Sequence, residues 1–355
     1  MNQIRFEGRN AQFFSTLRAR IDAYFKDNNI KSSGNWKLYS KTIILGLTLV
    51  GLYVTLVFFT PATAIALGLC ALLGVNFATI GFNVMHDGAH GSFSQKKWLN
   101  ELAGLSLNVL GANVFMWKTK HNVVHHTFTN IEGMDDDINA RPFLRLCETQ
   151  KKYKIHKFQH LYFIFAYSLL YIYWIFFTDY KKYFSGKVGE MPIKKMTAAD
   201  HISFWGFKIF HFGLFVLLPI YFVGFKTWLI GFLIYGLFAG IVLSLVFQLA
   251  HTVSDTHFPV PDVQTGKVED EWAVHQIKTT ANFATTNKIV SWFTGGLNFQ
   301  VEHHLFPHIS HIHYPAISQI VKQVCSEYNI PYIEYPKVRM AIASHVAHLK
   351  HMGEI

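Results

Sequence analysis

The sequence predicts an all-α integral membrane protein with four transmembrane helices in two hairpins, together with interfacial helices and a cytoplasmic cap. The first observation behind this prediction is the composition: 51% of the 355 residues are hydrophobic and only 15% are charged, where soluble domains carry roughly 25% charge. The second is a set of long uncharged runs, and the third is a group of histidines near the ends of those runs. This composition excludes disordered, collagen-like and coiled-coil chains.

Two pairs of uncharged runs predict the two hairpins. Each run is long enough to cross a hydrocarbon core of about 30 Å at about 1.5 Å per helical residue. Pro61 separates the runs of the first pair and Lys226 those of the second, so both turns are short. The predicted crossings are residues 42–60, 62–85, 209–225 and 227–250.

A further uncharged run, residues 158–178, has lysines on both sides. Because positive charge concentrates on the cytoplasmic side of a membrane, both flanks are expected there. We therefore predict that this run lies in the interface, or dips in and returns, and that both chain termini are cytoplasmic. The predicted organisation is a cytoplasmic N-terminal segment (1–41), a membrane domain (42–335) and a cytoplasmic tail (336–355).

The remaining segments are assigned to the cap. Residues 99–117 are expected to form an interfacial helix, and Pro315 is expected in the first turn of a helix whose apolar face includes Ile317 and Val321. The net charge of +10 is attributed to basic loops that face anionic lipid, and no nucleic acid is expected as a partner. Three scattered cysteines without C-x-x-C spacing predict free thiols.

Eight of the 20 histidines occupy three short boxes and one single position. Within each box, side chains three or four residues apart lie on one face of a helix. Neutral imidazole binds Fe, Zn, Cu and Ni, and this many nitrogens exceed what one tetrahedral zinc ion accepts. The cap is thus predicted to carry a histidine-rich di-metal site. The boxes are His86 and His90; His121, His125 and His126; and Gln300, His303 and His304; His251 ends the last crossing.

The alternative interpretation is a surface tract that binds metal weakly. The position of the boxes at the ends of crossings disfavours it, because polar groups near the bilayer are costly. Other chemistries have no sequence support: there is no G-x-G-x-x-G, no P-loop, no H-E-x-x-H and no paired Glu-x-x-His motif.

The boxes lie in the stretches HDGAH, HNVVHHTFTNIEGMDDD and GGLNFQVEHHLFPHI, which resemble those of the membrane fatty acid desaturases in order and spacing over residues 40–335. Gln300, in place of a leading histidine, is similar to the front-end subgroup, with linoleoyl-CoA (Δ6-type) desaturases nearest. The resemblance implies an O2-dependent enzyme with two iron ions, which inserts a cis double bond into a fatty acyl chain held as a CoA ester or a lipid.

The resemblance also implies a ligand set and an electron donor. An H-P-G-G motif of a fused cytochrome b5 domain is missing, so the donor is expected to be a separate ferredoxin or cytochrome b5, which favours a bacterial inner membrane over the endoplasmic reticulum. The implied metal ligands are His86, His90, His121, His125, His126, His303 and His304, with His251 as an additional ligand and Gln300 as a weak ligand or the holder of a metal-bound water.

Several polar residues near the boxes have two interpretations. In the first interpretation, Asp87 and Glu302 accept hydrogen bonds from ligand histidines. In the second, Asp87 is a charge at the end of a helix and Glu302 is a solvated group. Asp135, Asp136 and Asp137 are expected to form a solvated turn, and His308, His311 and His313 are not expected to be ligands. The residues considered for binding a CoA phosphate, a lipid headgroup or an acidic electron donor are Lys118, Lys120, Arg141 and Arg145.

Two further functions remain open from the sequence alone. A lipid hydroxylase or a sphingolipid desaturase would use the same site, because hydroxylation differs only in the return of oxygen to the same carbon. A non-catalytic membrane metal transporter or chaperone is the third class. A transporter would place histidines within the crossings, whereas these cluster at their ends.

Overall fold

The computed structural model describes residues 4–7 and 11–355, and it is predominantly helical. Within these residues, four helices are long and apolar enough to span a membrane, as the sequence predicts. A fifth candidate, the bent segment, consists of Lys154–Ser168 and Leu170–Ser185, whose axes meet at 55°. The four are crossing 1 (Trp36–Phe59), crossing 2 (Thr63–His90), crossing 3 (Ala198–Val223) and crossing 4 (Phe225–His251).

Crossings 1 and 3 begin earlier than the uncharged runs from which they were predicted. The side chain of Asn35 accepts a hydrogen bond from the Lys37 amide and caps crossing 1. Thr197 and Asp200 form a reciprocal capping box at the start of crossing 3. The hydropathy pattern locates the uncharged centre of each helix, but the capping residues decide where the helix begins.

Wide π-helical turns interrupt several of the helices. Gly81–Met85 immediately precedes the first histidine box, and Thr119–His125 contains most of the second. Such turns are rare in proteins, and those that occur are frequently found at functional sites. Further π turns are Thr55–Phe59, Trp174–Thr178 and Gly213–Leu217.

Close backbone contacts pack crossing 4 against its neighbours. A Cβ at Gly74 of crossing 2 would lie 2.2 Å from the Tyr235 carbonyl oxygen, and one at Gly240 would lie 2.3 Å from the Ser168 carbonyl oxygen. Small residues at such positions let membrane helices approach closely. Aromatic side chains, including Phe77 and Tyr235, fill the core beside these contacts.

The N-terminal segment contains a helix that the sequence analysis did not predict. Ala11–Asp27 buries Phe13, Leu17 and Ile21 against the helix Tyr314–Glu327. The latter helix, with Pro315 in its first turn, was predicted. At the C-terminus, Val338–Glu354 is also helical, where only a tail was expected, and it packs on the bent segment.

Short elements complete the described part of the chain. Three two-residue strand pairs are present: Arg5–Phe6 with Lys267–Val268 (parallel), Lys187–Val188 with Met191–Pro192 (antiparallel) and Asn282–Phe283 with Glu334–Tyr335 (parallel). The three cysteines are buried free thiols, as expected. The other helices are Lys97–Val109, Val114–Lys118, His126–Phe128, Asp136–Ile138, Trp272–Lys278, Lys288–Phe293, Gln300–Leu305 and His311–His313.

Candidate metal centre

The three boxes and the single histidine converge on one buried site. The first box ends crossing 2, the second lies in and just after the π turn Thr119–His125, and His251 ends crossing 4. The third box lies on the short helix Gln300–Leu305. All nine side chains singled out from the sequence are buried, and none is more than 5% exposed.

One group of histidines comes from the first box and from parts of the other two. Ring nitrogens of His86, His90, His121 and His303 lie within 4.8 Å of one another. The Nε2 atoms of His86 and His121 are 3.2 Å apart, and those of His121 and His303 are 3.4 Å apart. Nε2 of His126 lies 3.2 Å from Nε2 of His121, so a fifth imidazole adjoins the group.

A second group consists of His125, His251 and His304. Nδ1 of His251 donates to the Thr279 carbonyl at 3.2 Å, and Nδ1 of His304 donates to the side-chain oxygen of Gln276 at 2.7 Å. In His251 and His304, Nδ1 therefore carries the proton, because both partners only accept. The Nε2 atoms of all three rings are buried without a hydrogen-bond partner and are the nitrogens available to a metal ion.

His125 has the strongest partner of the second group. Its Nδ1 donates to the Asp135 carboxylate at 3.0 Å, and Asp137 lies 3.4 Å from the same nitrogen. Burial alone lowers the pKa of His125, but the two carboxylates outweigh it and hold the pKa above the usual value. The carboxylates hold the Nδ1 proton and orient the ring, and a metal ion bound at the unpartnered Nε2 would replace the proton there.

Burial keeps most of the other imidazoles in the neutral form. It lowers the pKa of His121, His126 and His303 well below the usual value, and neighbouring histidines add to this effect. Neutral imidazole is the form that binds metal. Buried, unpartnered nitrogens in this number fit a metal centre better than a structural core, because each would otherwise lose a hydrogen bond without compensation.

Gln300 contributes a further unpartnered group. Both polar atoms of its side-chain amide are buried without a hydrogen-bond partner. A buried amide without partners is costly, since both of its groups lose their hydrogen bonds to water. Its position at the start of the third-box helix thus fits a role towards a bound metal ion or its ligand.

The structure decides between the two interpretations of several neighbours. The solvated turn expected for Asp135–Asp137 is wrong at Asp135, which is buried and bonds to His125; Asp136 and Asp137 are partly exposed. Asp87 pairs with His311 at 3.0 Å and accepts from the Ser310 hydroxyl at 2.6 Å, so it supports the third-box loop and not a predicted ligand.

Glu302 likewise does not bond to a predicted ligand. Its carboxylate accepts hydrogen bonds from Asn282 and Tyr332, at 2.7 and 2.8 Å. Burial raises its pKa to about 7. The other two histidines of the nearby loop bond to backbone carbonyls, His308 to His90 and His313 to Ser33.

The basic residues considered for phosphate or donor binding are mostly engaged elsewhere. Arg145 is buried and donates to the backbone carbonyls of Glu148, Gln150 and Met352. Lys120 pairs with Asp137 at 2.6 Å. Arg145 is thus a structural residue that ties its loop to the C-terminal helix.

Sequence reasoning missed two residues that orient the boxes, Gln276 and Tyr314. The side-chain oxygen of Gln276 accepts from both His304 and the Thr129 hydroxyl. The Tyr314 hydroxyl lies 3.2 Å from Nδ1 of His303. Gln276 lies on a helix far from the third box in sequence, so no spacing pattern indicates it.

A narrow apolar cavity adjoins the centre. His86 is the only predicted ligand in its wall, which is otherwise almost entirely hydrophobic. The wall includes Phe77, Phe82, Met85, Leu110, Ala112, Trp117, Tyr171, Trp174 and Phe247.

Comparison with known proteins identifies a family whose members this chain resembles. A model described as fatty acid desaturase matches residues 61–336. An sn-1 linoleoyl-lipid 6-desaturase of Synechocystis sp. is 37% identical over 344 residues, 96% of each chain. A protein of the same name from Arthrospira platensis is 35% identical over 348 residues, 98% of this chain and 94% of the relative. An acyl-lipid (8-3)-desaturase of Physcomitrium patens is 36% identical over 352 residues, 98% of this chain and 73% of the relative.

Proposed function

The chain belongs to the fatty acid desaturase family, and from that premise we propose that it inserts a cis double bond into an acyl chain of a membrane lipid, at a centre of two iron ions. It is a fatty acid desaturase of the front-end type and an integral membrane protein. A linoleoyl group on a lipid is the proposed substrate, because the two relatives that match the chain over nearly their whole length are named linoleoyl-lipid desaturases.

We assign the irons to the two groups of histidines. His86, His90, His121 and His303, with His126 beside them, hold one iron, and His125, His251 and His304 hold the other. Gln300, on the same short helix as His303 and His304, is a further candidate ligand. The observation that carries this assignment is the set of buried ring nitrogens without hydrogen-bond partners, at His90, His125, His251 and His304. When bound, the irons supply the O2-dependent removal of two hydrogens from adjacent unactivated methylenes, chemistry that no side chain performs.

The protein's own residues bind the acyl chain, orient the ligand histidines and exclude water. The apolar cavity takes the acyl chain, and its hydrophobic wall excludes water from the reacting methylenes. His86 lies in the cavity wall and also in the first histidine group, so this wall is where a methylene pair meets the centre. Asp135, Thr279 and Gln276 fix the rings of the second group through their Nδ1 atoms.

The proposed membrane topology has two hairpins. Residues 60–62 connect crossings 1 and 2, and Gly224 alone connects crossings 3 and 4. Lysines flank the bent segment on both sides, which supports a re-entrant segment with cytoplasmic flanks. In this topology residues 42–335 form the membrane domain, and the cap and both termini are cytoplasmic. A separate ferredoxin or cytochrome b5 delivers the electrons in a bacterial inner membrane.

Product analysis tests the function directly. The wild type and His303→Ala are expressed in a host fed linoleate, and fatty acids are derivatised and analysed by gas chromatography–mass spectrometry. We expect a new polyunsaturated acid from the wild type and none from His303→Ala. His201→Ala, at an exposed histidine of crossing 3, is the matched control and should retain the product. A hydroxylated acid, or a purified wild type without iron, would contradict the proposal.

A further inference from the structure

A buried ion pair lies between crossing 3 and the bent segment. Nζ of Lys208 is 2.9 Å from the Asp179 carboxylate, and the two residues are 8% and 0% exposed. The ammonium group also lies 4.9 Å from the centre of the Tyr180 ring. Charges are costly in this part of a membrane protein and are retained where they have a function. A lysine that only ended a helix would extend to the membrane surface instead.

The Lys208 ammonium group has a partner for each of its three N–H bonds. Besides Asp179, it donates to the Gly111 carbonyl at 2.8 Å and to the Ile175 carbonyl at 3.2 Å. The Ile175 carbonyl lies in the π turn Trp174–Thr178, where the regular helical ladder is displaced. No N–H remains for a ligand, so the pair connects three segments of the chain and is not itself a binding site.

Other side chains bind the backbone turn that contains Gly111. Nδ1 of His211 donates to the Val109 carbonyl at 3.0 Å, and the Tyr171 hydroxyl donates to the Leu110 carbonyl at 2.7 Å. Together with Lys208, three side chains thus bind three consecutive carbonyls at the end of the helix Lys97–Val109. Backbone that needs this much support inside a membrane protein is held in one conformation.

The segments joined by the ion pair are walls of the apolar cavity. Leu110 comes from the supported turn, and Trp174 comes from the bent segment. The second oxygen of Asp179 accepts a hydrogen bond from Trp174 Nε1 at 2.9 Å. The ion pair therefore holds two parts of the wall, the supported turn and the Trp174 indole, in a fixed relation to each other.

We propose that Lys208 and Asp179 are positioning residues that fix the shape of the acyl cavity and thereby select which methylene pair lies beside the metal centre. This inference rests on the proposed function, because it takes the cavity as the acyl site. It assigns neither residue a contact with substrate or metal. Selection of the methylene pair depends on sub-ångström placement, which a single unsupported wall segment does not maintain.

The test compares product distributions at constant iron content. Lys208→Met removes one charge, and the double variant Lys208→Met/Asp179→Leu removes both, which avoids the destabilising effect of an unpaired buried carboxylate. Trp174→Phe removes only the indole hydrogen bond. Lys226→Met, at an exposed lysine of crossing 4, is the matched control. Each protein is expressed with acids of different length, and double-bond positions and iron per chain are measured.

The proposal expects a changed ratio of products and not only a changed amount. In the double variant, the ratio of the main double-bond position to the others should fall at least about threefold with iron content retained, and Trp174→Phe should shift it in the same direction. Lys226→Met should match the wild type. An unchanged ratio in a double variant that retains iron overturns the inference, as does a double variant that loses its iron, because the pair then supports the fold. A wild type that forms no desaturated product instead overturns the proposed function.

Discussion

At the scale of single residues, His125 differs from His251 and His304 in its hydrogen-bond partner, which is a carboxylate. Its Nδ1 faces the carboxylates of Asp135 and Asp137, whereas His251 and His304 donate to neutral oxygens. A carboxylate partner raises the basicity of a ligating imidazole and fixes its orientation, and loss of such a partner typically weakens metal binding 10- to 100-fold. The iron that His125 is proposed to hold should therefore depend on Asp135.

We predict that Asp135→Asn lowers the iron content of the purified protein, because an amide is a weaker acceptor for His125 Nδ1–H. Iron per chain after dialysis against a weak chelator, measured by atomic emission, is the readout. Asp136→Asn is the matched control, since Asp136 pairs with Lys182 at 3.5 Å and bonds to no histidine of the site. Equal iron content in the two variants would show that Asp135 has no such role.

The spacing of the boxes was sufficient to find the histidines that the structure brings together. It did not indicate their supporting partners. Asp135 was expected in a solvated turn because it stands in a run of three acidic residues, and such runs are usually exposed. Gln276 and Tyr314 were missed because their contacts with His304 and His303 depend on tertiary packing and have no periodic signal.

At the scale of elements, glycine decides how closely crossing 4 approaches the bent segment. A methyl group at Gly240 would lie 2.3 Å from the Ser168 carbonyl oxygen. Backbone lies on both sides of this contact, so a change of rotamer cannot relieve it. Overpacking of this kind typically costs about 1–3 kcal/mol.

We predict that Gly240→Ala lowers the melting temperature of the protein in detergent, measured by differential scanning fluorimetry. Gly46→Ala in crossing 1 is the control, because an added Cβ there has nothing within 4 Å. Alanine stabilises a helix by up to about 1 kcal/mol relative to glycine, so the control should be equal to or more stable than the wild type. A Gly240→Ala protein as stable as the control contradicts this packing argument.

The N-terminal helix gives a second prediction for an element. Leu17 is fully buried against the helix Tyr314–Glu327, and its truncation to alanine should cost about 2–5 kcal/mol. Arg20 pairs with Glu327 on the same face, but these side chains are 38% and 39% exposed, so Arg20→Ala should cost at most about 1 kcal/mol. Melting temperatures of the two variants, measured side by side, should rank in that order. The reverse order would mean that the ion pair, and not the apolar contact, holds the helix.

The sequence predicted the four helices that are long and apolar enough to span a membrane, but it did not predict the terminal helices. Runs of apolar residues are a strong signal because a membrane demands them. In Ala11–Asp27 the buried residues Phe13, Leu17 and Ile21 recur every four positions, which is a helical period that was present but masked by the surrounding charge. The helices that contain crossings 1 and 3 begin before the uncharged runs because capping residues, and not hydropathy, decide where a helix begins.

At the scale of the whole molecule, the metal centre joins segments that are far apart in the sequence. Its proposed ligands come from the ends of crossings 2 and 4, from the π turn Thr119–His125 and from the helix Gln300–Leu305. A ligand that binds only the folded state stabilises it in proportion to the logarithm of its concentration over its Kd. Bound iron should therefore stabilise the entire fold and not only the site.

We predict that removal of iron by a strong chelator lowers the melting temperature of the wild type. If the free iron concentration before removal is a thousand times the Kd, the loss of folding free energy is about 4 kcal/mol. The physical reason is that the Nε2 atoms of His125, His251 and His304 lose their only partner. His303→Ala, from which one proposed ligand is missing, should start at a lower melting temperature and respond less to the chelator. If the wild type melts at the same temperature with and without iron, the histidine cluster is held by packing alone, and the proposed link between metal binding and the fold is wrong.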